Sequence, residues 1–158
     1  MGTHYKGSKK EVSALNTYIK LIRAASSVSA RIGSLLTRKK LTESQFNILD
    51  ALLHLGPLNQ KQLGDKLLKS GGNITMVVDN LEKQSLVKRV RGENDRRYFS
   101  IHLTKQGKNL IERFFPEYLS AVVKEMSLLN EDEQAELQRM CKLIGLKTES
   151  HALMVEYK

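Results

Sequence analysis

The chain has 158 residues, 41% of them hydrophobic and 27% charged, with a formal net charge of +9 and a pI near 9.7. That length and apolar content exclude disorder along the whole chain and allow one domain with a sizeable core. A single cysteine, Cys141, excludes an intrachain disulfide, and no apolar run approaches the roughly 20 residues that a membrane-spanning helix needs.

The charge is uneven. Residues 1–40 hold nine basic groups against one acidic, residues 41–97 nine against seven, and residues 98–158 eight against nine. Six of the basic groups fall within residues 83–97. Such a balance suits an anionic polymer or surface as partner. With no secretion-signal pattern at the N-terminus, a reducing cytoplasm is the expected setting.

Residues 1–10, MGTHYKGSKK, are polar, basic and glycine-containing, and read as a flexible arm. From residue 11 to about 36, apolar residues at Leu15, Tyr18, Ile19, Ile22, Ala25, Val28, Ile32 and Leu35 keep helical spacing, and Arg38, Lys39 and Lys40 suit the helix C-terminus. A second helix over 42–54, with Thr42 as N-cap, buries Phe46, Leu49, Leu52 and Leu53 and stops at Gly56 and Pro57. A short third helix over 60–67 has Asn59 as N-cap and Leu63 and Leu67 facing inward. A glycine-rich turn at 69–73 leads into a fourth helix over 73–84, whose Ile74, Val77, Val78 and Leu81 fall at i, i+3, i+4 and i+7.

The stretch RVRGENDRRYFSIHLTKQG then alternates, with Tyr98, Ser100 and His102 on one side and Phe99, Ile101 and Leu103 on the other. Val87 and Val90 supply the partner strand, so this segment reads as a basic hairpin. Thr104 caps a long helix whose apolar pairs, from Leu110 and Ile111 to Val122 and Val123, make a stripe wider than one neighbour requires; a kink is expected near 112–116 because of Pro116. Asn130 and Glu133 cap a last helix with Leu137, Met140, Cys141 and Ile144 on its inner face and Gly145 beyond it.

Three short helices followed by a hairpin predict a winged helix-turn-helix, mainly α with a small β-hairpin wing. The exposed face of the fourth helix offers Asn73, Thr75, Met76, Asp79, Asn80 and Lys83. Short polar groups there reach base edges or phosphates, Met76 suits a thymine methyl, and Ser70, Gly71 and Gly72 open the way for phosphate at the helix N-terminus. Asp79 is the awkward member of this face; its expected partner is Lys83, four residues on, with a cytosine amino group as the alternative. Arg89 and Arg91 add to the basic hairpin.

The run LEKQSLVKRVRGENDRRYFSIHLTKQGKNLI resembles the signature of the multiple-antibiotic-resistance regulator (MarR) family, L-E-x-x-G-L-[IV]-x-R followed by D-x-R and L-T-x-x-G. Its elements stand here as Leu81, Glu82, Leu86, Val87, Arg89, Asp95, Arg96, Arg97, Leu103, Thr104 and Gly107, with Ser85 where the family usually has glycine. The resemblance implies a cytoplasmic, nucleoid-associated homodimeric regulator. Its winged unit would span about 42–103, and helices over about 11–37 and 104–145 would interlock two subunits within one domain over 11–158. It further implies a pseudo-palindromic double-stranded DNA operator, repression, and release by a small aromatic or phenolic effector. The residue matching Arg97 would enter the minor groove, with the one matching Asp95 holding it by ion pairing; arginine suits a narrow, electronegative groove.

Phe114, Phe115 and Tyr118 are the candidates for an effector cavity, with dimer core as the competing use. No cofactor or metal is expected: His4, His54, His102 and His151 are scattered without ligand spacing, and no nucleophile, base and acid fall into an enzyme-like constellation. Cys141 is expected to be a packed thiol. An architectural DNA-binding protein and a winged-helix protein-interaction module are the competing classes. The first does not need a polar, non-basic recognition face, and the second does not need a basic wing.

Overall fold

The computed structural model describes residues 2–91 and 99–145. Its elements run α1 (Lys9–Arg38), α2 (Glu43–Leu55), β1 (Leu58–Asn59), α3 (Gln60–Leu67), α4 (Gly71–Lys83), β2 (Val87–Arg91), β3 (Phe99–Leu103), α5 (Lys105–Met126) and α6 (Glu131–Gly145). The chain divides into two compact units, one up to Ser120 and one from Ala121 onward.

Capping chemistry decides most boundaries in the first unit. Ser8 and Glu11 form a reciprocal capping box, so α1 starts at Lys9 and takes up two lysines expected in the arm. Thr42 with Gln45, and Asn59 with Gln62, make the same device at α2 and α3. α2 ends where Gly56 adopts φ of +76°, a conformation open to glycine. α4 begins at Gly71, so Gly71, Gly72 and Asn73 form its first turn and not the loop before it.

The sheet has three strands in the order β1-β3-β2, all antiparallel. β1 carries no signal in the sequence. It is two residues long, too short for a period to show, and only its pairing of Leu58 with Ile101 makes it a strand. The hairpin register sets Val87 opposite Leu103 and Arg89 opposite Ile101, and Ile101 is fully buried as the alternation predicts. Phe46, Ile48, Leu49, Leu63, Ile74, Val78, Leu81, Val87 and Ile111 are among the core residues buried with it. Ile48 and Ala51, absent from the expected inner face of α2, are buried, whereas Leu53 and Leu67 are half-buried.

Two turns explain the sequence signature. α4 closes in a Schellman arrangement: the Ser85 amide donates to Glu82 O and the Leu86 amide to Leu81 O, with Leu81 and Leu86 both buried. The residue between them, Ser85, sits at φ +58°, the left-handed region that favours glycine. Thr104 then spans to this turn, its amide donating to Leu86 O (3.1 Å) and its hydroxyl to Ser85 O (2.6 Å), while its Oγ1 caps α5 by accepting from the Gly107 amide (3.0 Å). A Cβ on Gly107 would run into the Leu86 carbonyl, so glycine is required there.

α5 runs as one helix through Pro116. In the second unit no residue of α6 is buried among the described residues: Leu137, Met140, Cys141, Leu143 and Ile144 are all exposed. The expectation of an inner face with a packed Cys141 is therefore corrected for the single chain. Helical periodicity identifies an apolar face but not what covers it.

Gly107→Ala is expected to lower stability by about 1–3 kcal/mol, the range for forcing atoms into a filled site. Ser85→Gly is expected to raise it by about 0.5–1 kcal/mol, since relief of the left-handed penalty exceeds the extra entropy of glycine in the unfolded chain. Thermal unfolding of both variants checks the pair, and a Ser85→Gly protein melting below its parent would contradict the strain at that turn.

Candidate nucleic-acid interface

The placement of α4 follows from its inner face, where Ile74, Val77, Val78 and Leu81 are buried. Each such side chain contributes roughly 1.5–3 kcal/mol to holding the helix down. Helical geometry then turns the remaining residues outward. Gly71, Gly72, Asn73, Thr75, Met76, Asn80 and Lys83 are exposed, and Asp79 is half-exposed.

The chemistry of this face is polar and weakly charged. Ser70 is the N-cap residue but its side chain makes no capping bond, so the opening amides of α4 lack that partner. Gly71 and Gly72 have open space where a Cβ would stand, so packing does not demand glycine at either position. The Thr75 hydroxyl donates back to Gly71 O (2.9 Å), which leaves its oxygen as an acceptor.

Asp79 does not pair with Lys83. It accepts from Arg89 Nη2 at 2.5 Å, while Arg89 Nη1 donates to Glu82 Oε2 at 2.5 Å and the Arg89 amide to Glu82 Oε1 at 3.0 Å. An exposed lysine four residues away offers one flexible point charge; a β-strand arginine offers a planar fork that spans both carboxylates. Burial alone would lower the Arg89 pKa, but the hydrogen bonds and charges of Asp79 and Glu82 outweigh it and the net shift is upward. The arginine and glutamate of the signature thus tie the wing strand to α4.

Arg91, at the outer end of β2, is exposed and lies over the ring of Phe99, its partner in register, with 5.4 Å from guanidinium to centroid. Asp95, Arg96 and Arg97, with Tyr98, lie outside the described residues.

Of the expected effector residues, Phe114 lines a groove of about 640 Å³ together with Lys39, Lys105, Gln106, Asn109, Leu110 and Arg113. Lys39 lies over the Phe114 ring at 5.6 Å and pairs with Glu117 at 3.2 Å. Phe115 and Tyr118 pack elsewhere, Phe115 against His54 and Tyr118 against Phe46 with centroids 4.8 and 4.2 Å apart. The sequence gives no hint of the groove, because Lys39 and Lys105 are far apart in the chain and carry no local pattern. Beside the aromatics, Asp50 Oδ1 lies 3.3 Å from His54 Nε2, within ion-pair reach, but has no hydrogen-bond partner. Burial raises the Asp50 pKa, with the His54 charge pulling the other way. Burial also raises the Tyr118 pKa, and the Asp50 and Glu43 charges add to it. Among the described residues no group of three or more His, Cys, Asp or Glu side chains is placed to hold a metal ion, and no helix is long and apolar enough to cross a membrane.

The MarR family model matches residues 41–99, and the chain is 32% identical over 133 residues to the HTH-type transcriptional regulator MhqR of Bacillus subtilis, covering 84% of this chain and 92% of that protein. The chain belongs to the MarR family of transcriptional regulators. The fold agrees with solved structures at lower identity. AbsC, a MarR family regulator of Streptomyces coelicolor, superposes with a TM-score of 0.80 at 19% identity, covering 89% of this chain and 96% of AbsC. A cysteine-to-serine mutant of MarR from Escherichia coli, solved with operator DNA, gives 0.74 at 21% identity, with 88% and 99% covered. NadR, solved with 4-hydroxyphenylacetate, gives 0.71 at 22% identity, with 94% and 100% covered. Within this MarR-family frame, α3 and α4 are the helix-turn-helix and β2 and β3 the wing strands.

One pH dependence follows from the aromatic cluster. Because the folded pKa of Asp50 lies above its unfolded value, the carboxyl contributes most to stability below the unfolded pKa, and that contribution is lost as pH rises through the folded one. Asp50→Asn should therefore melt above the parent at pH 7, with the gap closing as pH falls through the carboxylate range. Thermal unfolding across pH checks this, and a gap that stayed constant would remove the burial penalty.

Proposed function

We propose that this regulator is a homodimeric, sequence-specific repressor that reads a pseudo-palindromic operator through α4 and is released by a small aromatic anion or phenol. The observation that carries it is the outward face of α4: Asn73, Thr75, Met76 and Asn80, short polar or apolar groups suited to base edges, on a helix locked down by its buried side and by Arg89. An architectural binder relies on backbone charge and does not need such a face. Around it, the α4 amides beside Ser70, Gly71 and Gly72 meet phosphate, with Lys83 and Arg91 adding cations. Arg97, positioned by Asp95 and neighboured by Arg96, reaches the minor groove, in line with the family signature.

The dimer is supported by apolar residues that one chain leaves uncovered: Leu15, Tyr18 and Ile22 on α1, Leu119 and Val123 on α5, and Leu137, Met140 and Ile144 on α6. Two-fold pairing of subunits presents two copies of α4 to successive turns of DNA. Sedimentation at micromolar concentration should give about twice the chain mass of 17.9 kDa. A stable monomer would remove the two-fold reading.

For the effector, the groove combines an apolar floor of Leu110 and Phe114 with Lys39, Lys105 and Arg113, the complement of a small aromatic anion. A ligand that releases DNA must bind the DNA-bound protein more weakly by the same factor as it weakens the operator complex. Equal affinity of aromatic carboxylates and phenols for free and operator-bound protein would count against this route.

The decisive experiment selects duplexes from a random pool with the wild-type protein. A two-fold symmetric consensus is expected. Asn80→Ala or Thr75→Ala should relax one symmetric pair of positions at a cost of about 1–3 kcal/mol, whereas Arg97→Ala should weaken all duplexes and flatten the salt dependence. Selection of no preferred sequence would favour the architectural alternative.

A further inference from the structure

Both acidic residues of α4, Asp79 and Glu82, are bound by one guanidinium. We infer that Arg89 serves DNA binding without touching DNA, by neutralising Asp79 and so allowing the outward face of α4 to approach phosphates. This rests on the proposed reading of DNA through α4. Three observations support it.

First, Arg89 is poorly placed as a contact. Its side chain is only 23% exposed, against 47% for Asp79, and its two terminal nitrogens each donate to a carboxylate. Turning the guanidinium toward a phosphate would exchange two charge-assisted bonds for one and leave two carboxylates facing a polyanion.

Second, the backbone of Arg89 takes part in the anchor. The Arg89 amide donates to Glu82 Oε1 and Arg89 pairs in register with fully buried Ile101, so the strand fixes where the guanidinium begins. Third, the neighbouring cation that sequence spacing suggested for Asp79, Lys83, is not the partner the geometry uses. Lys83 is exposed in the last turn of α4.

Arg89 is thus a positioning residue, and its loss is predicted to act through Asp79. The test uses the full chain and a duplex selected from a random pool by the wild type, with binding isotherms and thermal melts for each variant. Arg89→Gln should weaken binding about tenfold or more, because the Asp79 carboxylate, the more exposed of the two, then faces the phosphates unopposed. Asp79→Asn alone should bind within about threefold of the wild type and select the same consensus, since no base contact is removed. The double variant Asp79→Asn with Arg89→Gln should recover most of the affinity lost by Arg89→Gln, a rescue that a purely structural role would not give.

A folded double variant as weak as Arg89→Gln would overturn the inference by showing that DNA needs the arginine itself. An altered consensus for Asp79→Asn would overturn it by making Asp79 a base reader. Should Arg89→Gln fail to fold, the neutral set Asp79→Asn, Glu82→Gln and Arg89→Gln leaves no unpaired charge; near-wild-type binding supports the inference and weak binding by the folded protein defeats it. A wild type that selects no consensus would sink the DNA-reading proposal itself, an outcome distinct from a failed rescue on a duplex the wild type does bind.

Discussion

The peptide carbonyl of Leu86 is the point on which the winged unit is assembled. It accepts from the Thr104 amide, lies against Gly107 where no side chain fits, and belongs to the residue whose own amide closes the end of α4 on Leu81. One backbone turn therefore joins the last turn of α4, the first residue of β2 and the cap of α5. A buried carbonyl so engaged is costly to strip of its partners, which makes the junction stiff. The outward residues of α4 inherit that stiffness, because the helix can neither roll on its apolar side nor slide along its axis without breaking the turn.

The Arg89 bridge adds a second fixed point one strand further on. Its energetic worth in isolation is modest, since the three side chains are partly solvated and part of the attraction is offset by desolvation. Its consequence is directional. Two carboxylates on α4 are tied to the sheet through one guanidinium, and the half-exposed Asp79 is thereby paired beside the amide, hydroxyl, thioether and lysine groups of that face. Such groups suit the base-edge reading proposed for this helix better than they suit gripping phosphates.

The rest of the chain has the opposite character. α1 leaves Tyr18 and Ile22 exposed, and no residue of α6 is buried among the described residues, so both helices carry uncovered apolar surface. Beside the winged core, the ring cluster of Phe46, Phe114, Phe115 and Tyr118 borders an acid with an unpartnered oxygen, and the groove at Leu110 and Phe114 is rimmed by cations. A buried oxygen without a hydrogen bond beside apolar space contrasts with the Leu86 carbonyl, whose bonds are made.

The helices, their caps and the hairpin are legible in the order of residues alone, because they rest on local rules: Thr42 and Asn59 accept from amides three residues on, and Ile74, Val77, Val78 and Leu81 share a face by helical period. The signature motif also places this single chain in its family. What the described motif residues touch depends on contacts that form only on folding. β1 exists by pairing with β3, Gly107 is glycine because a carbonyl 21 residues earlier lies against it, and Ser85 is the odd member because that turn needs a left-handed residue. Asp79 pairs with Arg89, ten residues away across a turn, and not with Lys83 on its own helix, because a strand-borne guanidinium reaches two carboxylates at once. Long-range pairings of this kind leave no period in the sequence, so they become visible only when the chain has folded back on itself.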